Sequence, residues 1–180
     1  MNPESLFGHS SAAIVRGLAS ALATAAVVAL SPAPVAAGEA VVRVARQPGV
    51  DTRLFRSARE RDAAFAALSR HLARLAETRL PAGQSVAIEL IDIRPAGQFE
   101  PWRATFQDVR VLRDVTPPRV TLAYTLRERG RTLARGRETL TDMSYLASPA
   151  ARSSLSSWPY EKELLSDWFR SRLVLRRPAP

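Results

Sequence analysis

The sequence predicts an α+β domain, a single mixed or mostly antiparallel sheet in the order β-α-β-β-β-β-α with two helices packed on it. Three observations carry that expectation. Phe65, Leu68, Leu72 and Leu75 recur at helical spacing within residues 57–78. Val120, Leu122, Tyr124 and Leu126 alternate with polar residues, ahead of a reversal at Gly130 and a second strand-like run over 132–141. Finally, Tyr160, Leu164, Leu165, Trp168 and Phe169 fall on one side of a closing helix that starts at Pro159. A helix between the first two strands makes a parallel crossover the default, and antiparallel hairpins follow it.

In chain order, residues 40–45 read as a strand ended by Gln47-Pro48-Gly49. Ser57 and Glu60 have capping-box spacing, in which each side chain bonds the other residue's backbone N–H. The helix they open carries Arg59, Arg70, Arg74 and Glu77 on its polar face and stops at Pro81-Ala82-Gly83. Residues 85–94 are apolar on both faces, which predicts a central strand covered on both sides at least in part. A loop containing Trp102 spans 98–104, and a third strand spans 106–112. Leu133 and Leu140 have opposite parity, which places a bulge between them, at Gly136. Asp142-Met143-Ser144-Tyr145 reads as a capped turn, 147–157 as a mobile Ser/Ala-rich connection, and 173–180 as a frayed basic tail. In the closing helix Glu161, Lys162, Ser166 and Arg170 are expected on the outer side.

Residues 1–37 have the layout of a secretory signal peptide: Arg16, an uncharged run over 17–30, the breaker Ser31-Pro32-Ala33-Pro34, and small residues ending at Ala37. Residues 38–180 are then a single globular domain, long enough to bury a core without staples. With no cysteine in the chain there is neither a disulfide nor a lipid-anchoring cysteine. The expected location is the periplasm, or outside the cell, after cleavage near Ala37. The formal charge is +9, and Lys162 is the one cation that is not arginine or histidine. Arginine pairs bidentately with phosphate and carboxylate, so such a surface attracts anions.

The same composition excludes much chemistry. His71 is the only histidine after residue 37, so a zinc site of histidine and cysteine ligands cannot be built, and His71 reads as structural. There is no Gly-x-Ser-x-Gly elbow and no glycine-rich phosphate loop, so no nucleotide and no cofactor is expected. Asp92, Asp108, Asp142, Glu161 and Asp167 are the carboxylates that could converge as an acid–base pair or a calcium site, though no spacing demands it. Asp142 reads better as a turn cap.

The strongest positive feature is Arg127, Arg129, Arg131, Arg135 and Arg137, with Glu128 the only acidic residue among them. Such a ribbon can grip phosphates of lipopolysaccharide or anionic phospholipid. It can equally guard an edge hairpin against strand pairing. No aromatic residue is interleaved with these arginines, so there is no strong case for nucleic acid. The reading is a non-enzymatic exported protein that contacts an anionic envelope component or another periplasmic protein. The alternative is a small hydrolase or acid–base enzyme using Asp92 with another carboxylate.

Several pieces occur in a characteristic order: Leu80-Pro81-Ala82-Gly83-Gln84, Asp92-Ile93 leading to Ala96-Gly97, Asp108-Val109-Arg110-Val111, Pro118-Arg119-Val120, Leu140-Thr141-Asp142-Met143-Ser144-Tyr145, and Tyr160-Glu161-Lys162-Glu163-Leu164-Leu165-Ser166-Asp167-Trp168-Phe169. In this the chain resembles the proteobacterial domain-of-unknown-function family three-zero-one-six over roughly residues 41–173. Arg94-Pro95-Ala96-Gly97 stands where that family has Asp-Leu-Ala-Gly. The resemblance implies an exported bacterial protein and no assigned activity. It also implies that Asp142, Tyr145, Tyr160, Glu161, Trp168 and Phe169 form a structural motif docked on the sheet. A buried Trp168 then needs an acceptor for its indole N–H, with Asp142 or a strand carbonyl as candidates.

Overall fold

A computed structural model describes residues 38–45, 53–100, 102 and 109–177. The expected signal peptide, the turn at 47–49, and residues 106–108 of the expected 106–112 strand, Asp108 among them, lie outside the described residues. The elements are β1 (Glu39–Val44), α1 (Ala58–Arg79), β2 (Gln84–Arg94), β3 (Gln98–Phe99), β4 (Arg110–Val111), β5 (Arg119–Glu128), β6 (Arg131–Thr141), α2 (Pro149–Ser153) and α3 (Pro159–Phe169). A 3₁₀ turn at Tyr145–Ala147 precedes α2, and a π-helical turn at Arg170–Val174 prolongs α3. The principal sheet has the order β1-β2-β5-β6, with β1 parallel to β2 and the other pairs antiparallel. The expected α+β class with a mixed sheet is therefore what forms.

Ser57 opens α1 as a capping box: its Oγ accepts from Glu60 N at 3.1 Å. Glu60, however, turns its carboxylate to Arg56 N at 2.7 Å, one residue short of the expected return to the cap itself. Phe65, Leu68, Leu72 and Leu75 face the sheet and are buried with Val86, Ile88, Leu90, Val120, Leu122 and Leu126. Removing that much apolar surface from water is the main term favouring this fold. Leu165, Trp168, Phe169 and Leu173 complete the same core from α3 and its extension.

Five sequence expectations change. First, β2 is central but covered on one face only; Ala87 and Glu89 are exposed on the other. Its register with β5 shifts between Leu90 and Asp92, so Ile91 is an extra residue and Ile93 swings onto the core face opposite Val120. Second, the β5–β6 bulge is at Leu133, between the pairs Leu126↔Ala134 and Arg127↔Thr132. Gly136 pairs regularly with Tyr124 because the tyrosine ring lies over it; a Cβ there would sit 3.2 Å from that ring.

Third, of the described residues 109–112 of the expected strand only Arg110 and Val111 are paired, with Phe99 and Gln98 in a separate ribbon. Val109 and Leu112 are exposed, so the described residues 109–112 offer no apolar face to the main sheet. Arg110 pins the ribbon instead: Nη1 donates to Gly97 O at 3.1 Å, Nη2 donates to Leu54 O, and the guanidinium lies 4.5 Å from the Phe99 ring centroid. Fourth, the 147–157 connection contains α2, whose N-cap Ser148 Oγ accepts from Ala151 N at 3.1 Å. Fifth, the start of the expected tail is anchored, since Leu173 belongs to the core and Leu175 N bonds Arg170 O at 2.8 Å.

Candidate functional site

The two-residue turn Arg129-Gly130 joins β5 to β6. Both residues have positive φ, 47° and 83°, the conformations a tight hairpin with the sheet's own twist requires. Glycine adopts them freely, whereas Arg129 does so against the sterics of its Cβ. Around this turn Arg127, Arg129, Arg131, Arg135 and Arg137 are all exposed. Arg135 sits opposite Thr125 and Arg137 opposite Ala123, on the sheet face away from the helices. Among the described residues none of the five has an ion-pair partner. The one carboxylate of the stretch, on Glu128, accepts from Gln84 Nε2 at 3.0 Å.

The π-helical turn after α3 brings more arginine to the free edge of β6. Arg172 Nε donates to Glu138 Oε2 at 2.9 Å, and Arg172 Nη1 donates to Arg177 O at 2.7 Å. Both partners of this pair are withdrawn from water, at 7 and 14 % side-chain exposure. Beside them the Tyr124 phenol is held above its ordinary pKa, first by burial and then by the Glu138 charge. Two cavities of about 470 and 690 Å³ adjoin along this edge, sharing Arg137, Glu138 and Arg172 as walls.

The motif residues lie where α3 meets the sheet. Tyr145 is buried, donates from its hydroxyl to Arg113 O at 2.7 Å, and meets the Tyr160 ring edge-on at 5.1 Å. Trp168 meets Tyr124 edge-on at 5.4 Å. Its Nε1 is buried without a partner, so neither expected acceptor serves it. Asp142 Oδ1 is committed to Ser144 N and Oγ, both at 2.9 Å, in the turn cap the sequence predicts.

Glu161 is a correction. The helical wheel places it outside, yet it is buried and its Oε1 accepts from Ala96 N at 2.6 Å. It satisfies a backbone donor in the turn after β2 that has lost water. Burial raises its pKa, against the opposing effect of that hydrogen bond.

His71 ties α1 to α3. Its Nε2 lies 3.0 Å from Lys162 O and 2.8 Å from Ser166 Oγ. A carbonyl oxygen only accepts, so Nε2 carries the proton, and it cannot act as a base toward Ser166. Ser166 in turn donates to Lys162 O at 2.8 Å. Burial lowers the His71 pKa from 6.5. The unfolded chain therefore takes up the proton more readily. Stability is expected to fall as pH drops below about 6.5 and to level off below the folded-state value. Glu161 works in the opposite sense, since a raised carboxyl pKa costs stability as pH rises through it. Urea midpoints at pH 8 and pH 5, compared between wild type and His71→Gln, isolate the histidine contribution; an identical pH response in both would refute it.

The carboxylates offered for catalysis are dispersed over separate partners. Asp92 pairs with Arg94 at 3.6 Å, Asp167 pairs with Arg170 at 2.9 Å, Asp142 caps its turn and Glu161 caps Ala96. Among the described residues no group of three or more His, Asp or Glu side chains could hold a metal, and no helix is long and apolar enough to cross a membrane.

Residues 48–171 match the family described as protein of unknown function (DUF3016). No curated protein and no solved structure matches the chain.

Proposed function

We propose that this chain, which belongs to the DUF3016 family of proteins of unknown function, is a non-catalytic exported domain that contacts anionic groups of the cell envelope through its arginine hairpin. The observation that carries this reading is the cluster of five exposed arginines at 127, 129, 131, 135 and 137, none with a carboxylate partner among the described residues. Like charges so close together repel one another. They are tolerated because each is hydrated, and a phosphate surface would relieve the repulsion while forming charge-assisted bonds. Arg129 supports the same reading, because a cation occupies a left-handed position where glycine or asparagine is ordinarily preferred. Export rests on the layout of residues 1–37.

Sedimentation with phosphatidylglycerol vesicles tests the proposal. Wild type should co-sediment with them and not with phosphatidylcholine vesicles. Arg129→Glu combined with Arg131→Glu should weaken binding at least tenfold, since each neutralised lysine or arginine near such a surface is worth about 1 kcal/mol. Unchanged sedimentation of the double variant would remove the hairpin from consideration.

A further inference from the structure

The groove along β6 is rimmed by arginines and floored by apolar side chains, and its two carboxylates, Glu138 and Asp167, are held in ion pairs with Arg172 and Arg170. Its larger cavity, about 690 Å³, is floored by Leu140, Leu164 and Trp168. Leu140 and Leu164 are only half-buried there. That volume falls in the range of sites that enclose small ligands. The adjoining smaller cavity is bordered by Arg176 and Arg177 from the turn beyond α3, and also by Arg135 and Arg137, whose strand positions belong to the opposite sheet face. Among the described residues these four have no carboxylate partner. Arg172 spans the two cavities but is already committed to Glu138.

An apolar trough that opens onto arginines with no carboxylate partner among the described residues is complementary to an amphiphile with an anionic head. Inorganic phosphate would leave the Leu140–Leu164 floor wet, and a neutral hydrocarbon would gain nothing from the arginines. We propose that this groove binds a phosphate-bearing amphiphile, with its alkyl chain along Leu140, Leu164 and Trp168 and its phosphate beside Arg176 and Arg177. The proposal rests on the envelope-contact reading and adds to it: the hairpin meets the headgroup surface, and the groove takes a single chain from it.

Calorimetric titration of the full chain with hexyl, octyl and decyl phosphate, each below its aggregation concentration, tests this. Affinity should rise by about fourfold per added methylene as long as the chain finds apolar wall. Inorganic phosphate should bind much more weakly than any of them, and an alkyltrimethylammonium of equal length should not bind. Ser171→Trp places bulk in the trough from a half-buried wall position and should flatten the chain-length series; a thermal melt checks that this variant folds. Arg129→Glu with Arg131→Glu lies at the far end of β6 and should leave alkyl-phosphate affinity within about twofold, by additivity of distant sites. Vesicle binding lost with the chain-length series intact would therefore separate the two sites as proposed. An affinity independent of chain length, equal to that of inorganic phosphate, would overturn the groove while leaving the hairpin standing. A polyglutamate peptide that binds where the alkyl phosphates do not would overturn it in favour of a protein partner.

Discussion

Phe169→Ala is expected to cost about 3–5 kcal/mol of folding stability, the range for deleting a fully buried aromatic side chain. Phe169 has no exposed surface and sits with Leu165, Trp168 and Leu173 in the core shared by α3, α1 and the sheet. Two effects add: folding no longer gains from withdrawing the ring's apolar surface from water, and the rigid surroundings leave a cavity. A domain of this size has about 5–15 kcal/mol in hand, so the variant should be largely destabilised at 37 °C. Urea denaturation measures it directly. A loss below about 1 kcal/mol would mean that α3 is not docked as described.

Arg172→Met should be comparably damaging for a different reason. It removes the guanidinium from a pair in which both side chains are largely withdrawn from water, and leaves Glu138 buried without a counter-charge. Breaking one side of such a pair costs about 3–5 kcal/mol. Replacing both sides, Glu138→Gln with Arg172→Met, removes the stranded charge and should recover most of that loss. A double variant as unstable as the single one would show that Arg172 acts through packing of its stem rather than through the ion pair. The pair also decides whether the turn after α3 stays against β6, because Arg172 bonds Arg177 O as well as Glu138.

What could be read from the sequence was what depends on near neighbours. The stripe Phe65, Leu68, Leu72, Leu75 and the alternation from Val120 to Leu126 repeat within a few residues, and both became the elements they predict. The arginine cluster was visible for the same reason, as local charge density. Contacts between distant residues decided the rest. Parity between Leu133 and Leu140 signalled a break in β6, but only the Tyr124 ring lying on Gly136 fixes where it cannot be. The same parity signal stood in β2, between Leu90 and Ile93, and was misread as a second buried face instead of a bulge. Glu161 looked like a surface residue because the donor it satisfies, Ala96 N, is 65 positions away. Arg172 draws no reading from the sequence because Glu138, 34 positions back, gives no sign of pairing with it. The groove was illegible for that reason: its walls come from β6, α3 and the turn beyond, and no local pattern joins them.

The affinity of the full chain for phosphatidylglycerol vesicles, followed across ionic strength, tests the central claim most directly. Exposed arginines meeting lipid phosphates are screened over a Debye length of about 10 Å at 0.1 M salt and about 3 Å at 1 M. The account predicts strong binding at low salt that falls steeply and is lost before 1 M. Binding that stays flat across that range, or that never exceeds binding to phosphatidylcholine, would contradict it.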